Sequence, residues 1–299
     1  MLHDNIDDAL NAYVGRSTRL KSQDDTRLRT VIFLTGTILA HFAKNFKNMA
    51  KATKDVTVVF AFSSAAESNK PATADLVGQE YRVKIELSFI HLIFREVEEL
   101  KEIPSRDYDP SALAILASIS AMAHEFTHAI FGHFEKQPTV LLNGVVYEEE
   151  FEADRGGGIG IVSVLADPFA SKLLEDYVKL KNPSDVLEVG FLSHWLLVTV
   201  VSLFPKPILN YPDSSTRALA YNMGLISTTA LAEVATSGDI MLSFVYACHL
   251  GRKIGIDLLS ADRFLEIILG VEAAQKDLNA KVIDDIVTRR AETMVATKF

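Results

Sequence analysis

The sequence predicts a mainly α-helical (α+β) protein with one small β-sheet ahead of a central helix. Two observations predict this class. Apolar residues recur at helical spacing over most of the chain, and two short strand-like segments lie between residues 55 and 89. The 299 residues, 48% hydrophobic and 23% charged, are enough to bury a sizeable core.

The first half of the chain supplies helices and then strands. Residues 1–50 form a helical segment, because RTVIFLTGTILAHFAKNF has its apolar positions at helical spacing. Residues 55–64 are rich in Val and Phe and form a strand, whereas the polar residues 64–75 form a loop broken by a proline. Residues 81–89 alternate apolar and polar side chains like a half-buried strand, whose edge could pair with an extended peptide.

The second half is mostly helical. After the helix IHLIFREVEELKE and a proline-containing loop, a long helix runs from Ser111 to about Phe134. This helix is apolar nearly all round, so we expect it to be central. Another helix begins near Val145, and glycines in the following RGGGIGIVS let it pack closely against the central helix. We expect three parts, an N-terminal helical segment (1–50), a region carrying the candidate site (51–235) and a C-terminal helical region (236–299), which could also form one compact domain.

Charge and composition limit the partners. The net charge is −9 and no basic run exceeds two residues, which disfavours nucleic acid and anionic lipid. The single cysteine excludes an intrachain disulfide, and the acidic N-terminus lacks the pattern of a secretory signal, so we expect a cytoplasmic protein. The apolar runs are too short or too charged to favour a membrane span. Peripheral membrane contact through residues 191–204 is not favoured.

The candidate chemistry begins with the pentapeptide HEFTH. His124 and His128 stand one helical turn apart, so both imidazoles can reach one zinc ion. Glu125 is rotated about 100° from His124, where it can act as a general base on water activated by the metal, without itself binding the metal. The alternative is a core helix whose histidines bond to backbone, but three ionisable groups in an apolar helix are costly without a shared partner.

A catalytic zinc needs a third protein ligand. A third histidine in the pattern HExxHxxGxxH is excluded, because Phe131 and Phe134 occupy the required positions. On a continuing helix His133 would lie about 140° from His128 and face elsewhere, so we assign it a structural role or, at best, one that supports the ligands.

A second helix offers the remaining ligand. In VVYEEEFEADRGG, Glu150 alone among four glutamates has an aspartate, Asp154, one turn later on the same face. We therefore predict Glu150 as the third ligand and Asp154 as the carboxylate that orients a ligand histidine. The alternative for such an acidic run is a solvated face.

These motifs resemble those of the gluzincin metallopeptidases, especially the M48-like group, in which HExxH is followed by ExxAD. The resemblance implies a zincin-like domain over residues 51–235. Those enzymes often carry a downstream HPxxxxR segment. YPDSSTR is similar to it, with Tyr211 in place of the histidine and Arg217 at the matching offset. The resemblance implies that Arg217 and the Tyr211 hydroxyl stabilise an oxyanion, a role for which His194 is a rival. Packing is the alternative for Tyr211 and His194.

The HExxHxxxGH arrangement and the short distance to ExxAD also resemble the phage-exclusion peptidases of the Lit type, which cleave a translation elongation factor. The sequence thus predicts a cytoplasmic endopeptidase acting on a protein or peptide. It would carry one Zn²⁺ bound by His124, His128 and Glu150, with Glu125 as base and then acid. Two alternatives are a zinc hydrolase acting on a small amide and a non-catalytic helical interaction protein.

Overall fold

The protein is mainly helical, with one small sheet near its N-terminus. The computed structural model describes residues 2–3, 5–16, 24–50, 54–61, 72–99, 109–133, 145–178, 183–202 and 214–231. The helices within these ranges are α1 (Ile6–Arg16), α2 (Asp24–Ala50), α3 (Leu87–Glu99), α4 (Pro110–Ile130), α5 (Val145–Ala166), α6 (Pro168–Leu174), α7 (Pro183–Ser202) and α8 (Ser214–Leu231). The strands are β1 (Leu2–His3), β2 (Asp55–Ala61), β3 (Ala72–Val77) and β4 (Glu80–Glu86). The predicted fold class, a helical protein with a small sheet ahead of the central helix, is confirmed.

The sheet has the strand order β1-β2-β4-β3. β2 runs parallel to β4, with Val58 opposite Val83, and β3 runs antiparallel to β4. The turn between β3 and β4 contains Gly78 at φ 65°, a left-handed conformation that favours glycine.

This order corrects two predictions. Residues 72–75 belong to strand β3 and not to a loop, and the strand in 81–89 is interior, so its edge is not open to a peptide. β3 was missed because most of its side chains are at least partly exposed, and its composition therefore resembles that of a loop.

α4 lies at the centre of the protein. It begins where the Asp109 carboxylate accepts a hydrogen bond of 2.7 Å from the Ser111 N–H, with Pro110 in the first turn. Every residue from 111 to 122 is buried, and the helix contacts α2, α3, α5 and α7 as well as β3 and β4. The predicted central position is therefore confirmed, although the helix ends at Ile130, before Phe134.

Glycines let α5 pack between two neighbours. A Cβ added at Gly156 or Gly160 would lie nearer than 3.0 Å to side-chain atoms of Thr127 or Ala123 on α4. A Cβ at Gly158 would lie equally near to backbone atoms of α8. The predicted close packing of this segment on the central helix is confirmed, and α8 is a second partner. The position of α5 relative to α4 is thus fixed by direct contact.

Within the described residues one helix, α4, is long and apolar enough to cross a membrane, and most of it is buried inside the protein, as in a core helix. Residues 149–166 and α6 would count as a second such segment only if the two, which are bent by 80°, formed one span.

The N-terminal helices pack on the rest of the protein, because α2 contacts both α4 and β2. The predicted C-terminal part, residues 236–299, lies outside the described residues, and the three-part division stays a prediction.

Candidate metal centre

Three side chains converge where α4 passes α5. His124 and His128 lie on one face of α4, since residues four apart are one turn apart. Glu150 reaches the same point from the N-terminal half of α5. One ligand atom from each of the three lies within 4.8 Å of the others, and their side chains are 9%, 10% and 14% exposed. These residues could hold a metal ion.

The distances between the ligand atoms match a tetrahedral site. Ligands about 2.0–2.1 Å from an ion at tetrahedral angles lie about 3.3 Å from one another. The Nε2 atoms of His124 and His128 are 3.2 Å apart. Glu150 Oε2 is 3.3 Å from His124 Nε2, and its other oxygen, Oε1, is 3.7 Å from His128 Nε2. The two imidazoles and the carboxylate are therefore close enough together to hold one metal ion, and the described residues supply three ligands to it.

Asp154 supports the cluster from α5. Its Oδ1 lies 2.9 Å from His124 Nδ1, and it is 3% exposed. Arg217 on α8 donates to both of its oxygens, from Nε at 2.8 Å and from Nη2 at 2.7 Å. Asp154 thus lies where the spacing predicted. Arg217 contacts this carboxylate, and the suggested role of Arg217 at an oxyanion stays a prediction.

The ligand histidines have opposite charge preferences. Burial lowers the pKa of His124, but hydrogen bonds to Asp154 and Glu150 outweigh it and raise the value to about 10. Burial and the charge of His124 lower the pKa of His128 to about 3. Burial opposes ionisation of Asp154, yet the charge of Arg217 holds its pKa well below the usual range. A divalent cation at this cluster would take the place of the His124 proton on Nε2, which faces Glu150, so binding would be coupled to proton release.

Glu125 lies beside the cluster without belonging to it. Burial raises its pKa to about 6, against the positive charges of His124 and Arg217 and a hydrogen bond from the Ala74 backbone. A carboxyl group with a pKa near neutral can both accept and return a proton. Its position and its pKa suit the predicted general base.

His133 is not where the sequence placed it. The prediction assumed a helix continuing to Phe134, whereas α4 ends at Ile130 and the chain turns back at Gly132, which has φ 61°. The Nδ1 of His133 then lies 2.7 Å from the Nδ1 of His128, and its Nε2 lies 3.3 Å from Glu152 Oε2. His133 therefore does not face elsewhere. The glycine was the signal that could have shown this, because glycine often ends helices.

Tyr211 and His194 are the two residues predicted as alternative stabilisers of an oxyanion. Tyr211 lies outside the described residues, so its role stays a prediction. His194 on α7 is 1% exposed and stacks on Tyr221, with ring centroids 3.5 Å apart. Neither ring nitrogen has a hydrogen-bond partner among the described residues, and burial lowers its pKa to about 3. These contacts describe a neutral core residue.

Comparison with protein-family models, with curated proteins and with solved structures finds no match for this chain. The resemblance to gluzincin and Lit-type peptidases therefore rests on the motif residues alone. A cluster of His124, His128 and Glu150 that could hold a metal ion is what the structure shows.

Proposed function

We propose that the protein is a zinc-dependent endopeptidase. The observation that carries this proposal is the position of Glu125, which follows His124 on α4 and lies beside the cluster without being one of its ligands. Two imidazoles and one carboxylate, with a further position open, are a ligand set found in catalytic zinc sites. Structural zinc sites usually have four protein ligands, whereas the described residues supply three to this cluster, and this favours catalysis.

The proposed chemistry divides between the ion and the side chains. Zinc bound by these residues would polarise the scissile carbonyl and lower the pKa of the attacking water. Glu125 would accept the proton that this water loses and return it to the leaving amine. Asp154, fixed by Arg217, holds His124 through Nδ1 and so keeps Nε2 directed at the ion.

A peptide substrate is supported by the strand nearest the site. β3 is the last strand of the sheet, and within the described ranges no strand pairs with its outer edge. β3 contacts α4, and the Ala74 backbone hydrogen-bonds to Glu125. An extended peptide added to this edge would run past the proposed base. A small amide is too short to pair with a strand edge, so we favour a protein substrate, which we place in the cytoplasm.

The test is a comparison of new protein termini in cells that express the protein or its Glu125→Gln variant. We expect new termini with the parent and none with Glu125→Gln, while both purified proteins retain one zinc ion per chain. Glu149→Gln is the matched control, because it removes a neighbouring carboxylate outside the cluster, and it should cleave like the parent. A zinc-loaded parent that gives no new termini, or a Glu125→Gln variant that cleaves equally, would refute the proposed activity.

A further inference from the structure

A chain of two contacts leads away from the metal cluster at His128. His128 Nδ1 lies 2.7 Å from His133 Nδ1, and His133 Nε2 lies 3.3 Å from Glu152 Oε2. The His133 side chain is 3% exposed, so water does not compete freely for its contact with His128, whereas the Glu152 side chain is 27% exposed. We propose that His133 and Glu152 form a positioning pair that fixes the ring and tautomer of the ligand His128. The proposal rests on the metal site within the proposed function.

The direction of the hydrogen bonds follows from the ligand role. His128 must present an unprotonated Nε2 to an ion, so the proton of its neutral ring is on Nδ1. That N–H donates to His133 Nδ1, which must then be an acceptor. His133 therefore carries its own proton on Nε2 and donates it to the Glu152 carboxylate. Each of the three groups has one permitted state, and the carboxylate at the end selects it.

The turn that ends α4 positions His133 beside His128. Phe131 caps the helix, the Gly132 N–H donates to the Ala129 carbonyl at 3.3 Å, and the His133 N–H donates to the His128 carbonyl at 3.1 Å. This pair of bonds is the Schellman arrangement, which requires the left-handed conformation that Gly132 adopts at φ 61°. The His133 ring also stacks on Phe131, with centroids 5.8 Å apart. His133 is thus held against His128 by backbone and by packing.

Both ligand histidines are then supported from the same helix. Asp154 holds His124 directly, whereas Glu152 holds His128 through His133. Glu150 precedes these two carboxylates in the sequence and belongs to the metal cluster itself. Each of these three carboxylates of α5 therefore makes a different contact at the cluster. A solvated acidic face would not show such contacts.

The test measures metal affinity, independently of catalysis. The dissociation constants for Zn²⁺ and Co²⁺ are measured by competition with a chelator, together with the visible spectrum of the Co²⁺ form. His133→Phe keeps a ring to stack on Phe131 but removes both nitrogens, and we expect a dissociation constant about 10–100 times higher. His133→Asn places a side-chain oxygen near the position of Nδ1, so it can accept from His128 and should recover most of this loss. Recovery by Asn distinguishes positioning from packing, because Asn packs less well than Phe.

The control is His91→Phe, which removes another 2.7 Å histidine contact, that between His91 Nδ1 and the Tyr13 hydroxyl. It should bind both ions like the parent and give the same Co²⁺ spectrum. If the parent binds no metal, the proposed function fails. If the parent binds metal and His133→Phe, folded by circular dichroism, binds it equally well, only the positioning pair is refuted. A His133→Asn variant that binds no better than His133→Phe would also refute it.

Discussion

The separation of α4 and α5 sets the geometry of the candidate metal site, because two of the three candidate ligands come from α4 and the third from α5. Gly160 on α5 faces Ala123 on α4, which directly precedes the ligand His124. A Cβ added at Gly160 would lie nearer than 3.0 Å to the Ala123 Cβ. Two carbon atoms in favourable contact are about 3.5–4.0 Å apart, so Gly160→Ala must move them apart by at least about 0.5 Å.

This displacement is large compared with the tolerance of a metal site. Ligand distances in such sites vary by about 0.2 Å, so we expect the zinc dissociation constant of Gly160→Ala to rise about tenfold or more. Overpacking typically lowers the free energy of unfolding by about 1–3 kcal/mol, whereas replacing glycine by alanine within a helix raises it by about 1 kcal/mol. The expected net loss of unfolding free energy is therefore at most about 2 kcal/mol, and the variant should remain folded.

A compensating substitution isolates the steric cause. Ala123→Gly with Gly160→Ala moves one methyl group from α4 to α5 and restores the contact between the helices. Zinc affinity is measured by chelator competition for the parent, both single variants and the double variant. The double variant should bind zinc within a few-fold of the parent. Undiminished affinity in Gly160→Ala, or a double variant as weak as that single variant, would refute the reasoning.

Three further predictions concern charges around the cluster. Arg217→Met leaves the Asp154 carboxylate buried without its paired charge and should cost about 3–5 kcal/mol in urea unfolding, whereas a loss below about 1 kcal/mol would contradict the pairing. Burial lowers the pKa of His194 to about 3, so below pH 6.5 the unfolded protein binds a proton at this ring and the folded protein does not. The free energy of unfolding therefore falls as the pH drops from 6.5 toward 3. His194→Phe should therefore flatten the acid side of the stability curve by about 1 kcal/mol per pH unit, and equal slopes would oppose this. The pKa of His124 is raised to about 10, so the chelator-treated protein should lose stability as pH rises from 6.5 toward 10, and the loss should be absent in His124→Gln.

Helical spacing explains why so much of the site was predictable. His124 and His128, like Glu150 and Asp154, are four residues apart, and a helix brings such pairs to one face wherever it packs. The structure places all four together at one point where α4 meets α5. The two pairs could therefore be predicted from spacing alone, and only the contact between α4 and α5 was needed to bring them together.

Contacts that depend on chain reversal or on distant segments were not predictable. His133 reaches His128 because α4 ends at Ile130, four residues before the predicted end, in a turn that helical periodicity does not show. Arg217 pairs with Asp154 across 63 positions of sequence. β3 is recognisable only through its pairing with β4, since its own residues are mostly polar or small.

X-ray absorption at the zinc edge, on protein loaded with one equivalent of zinc, tests the central claim most directly. We predict a four-coordinate ion with two imidazole nitrogens and oxygen ligands at about 2.0–2.1 Å. In Glu150→Gln the oxygen contribution should change while the two imidazoles remain. Failure of the parent to retain zinc, or a spectrum with three imidazoles, would contradict a centre built from His124, His128 and Glu150.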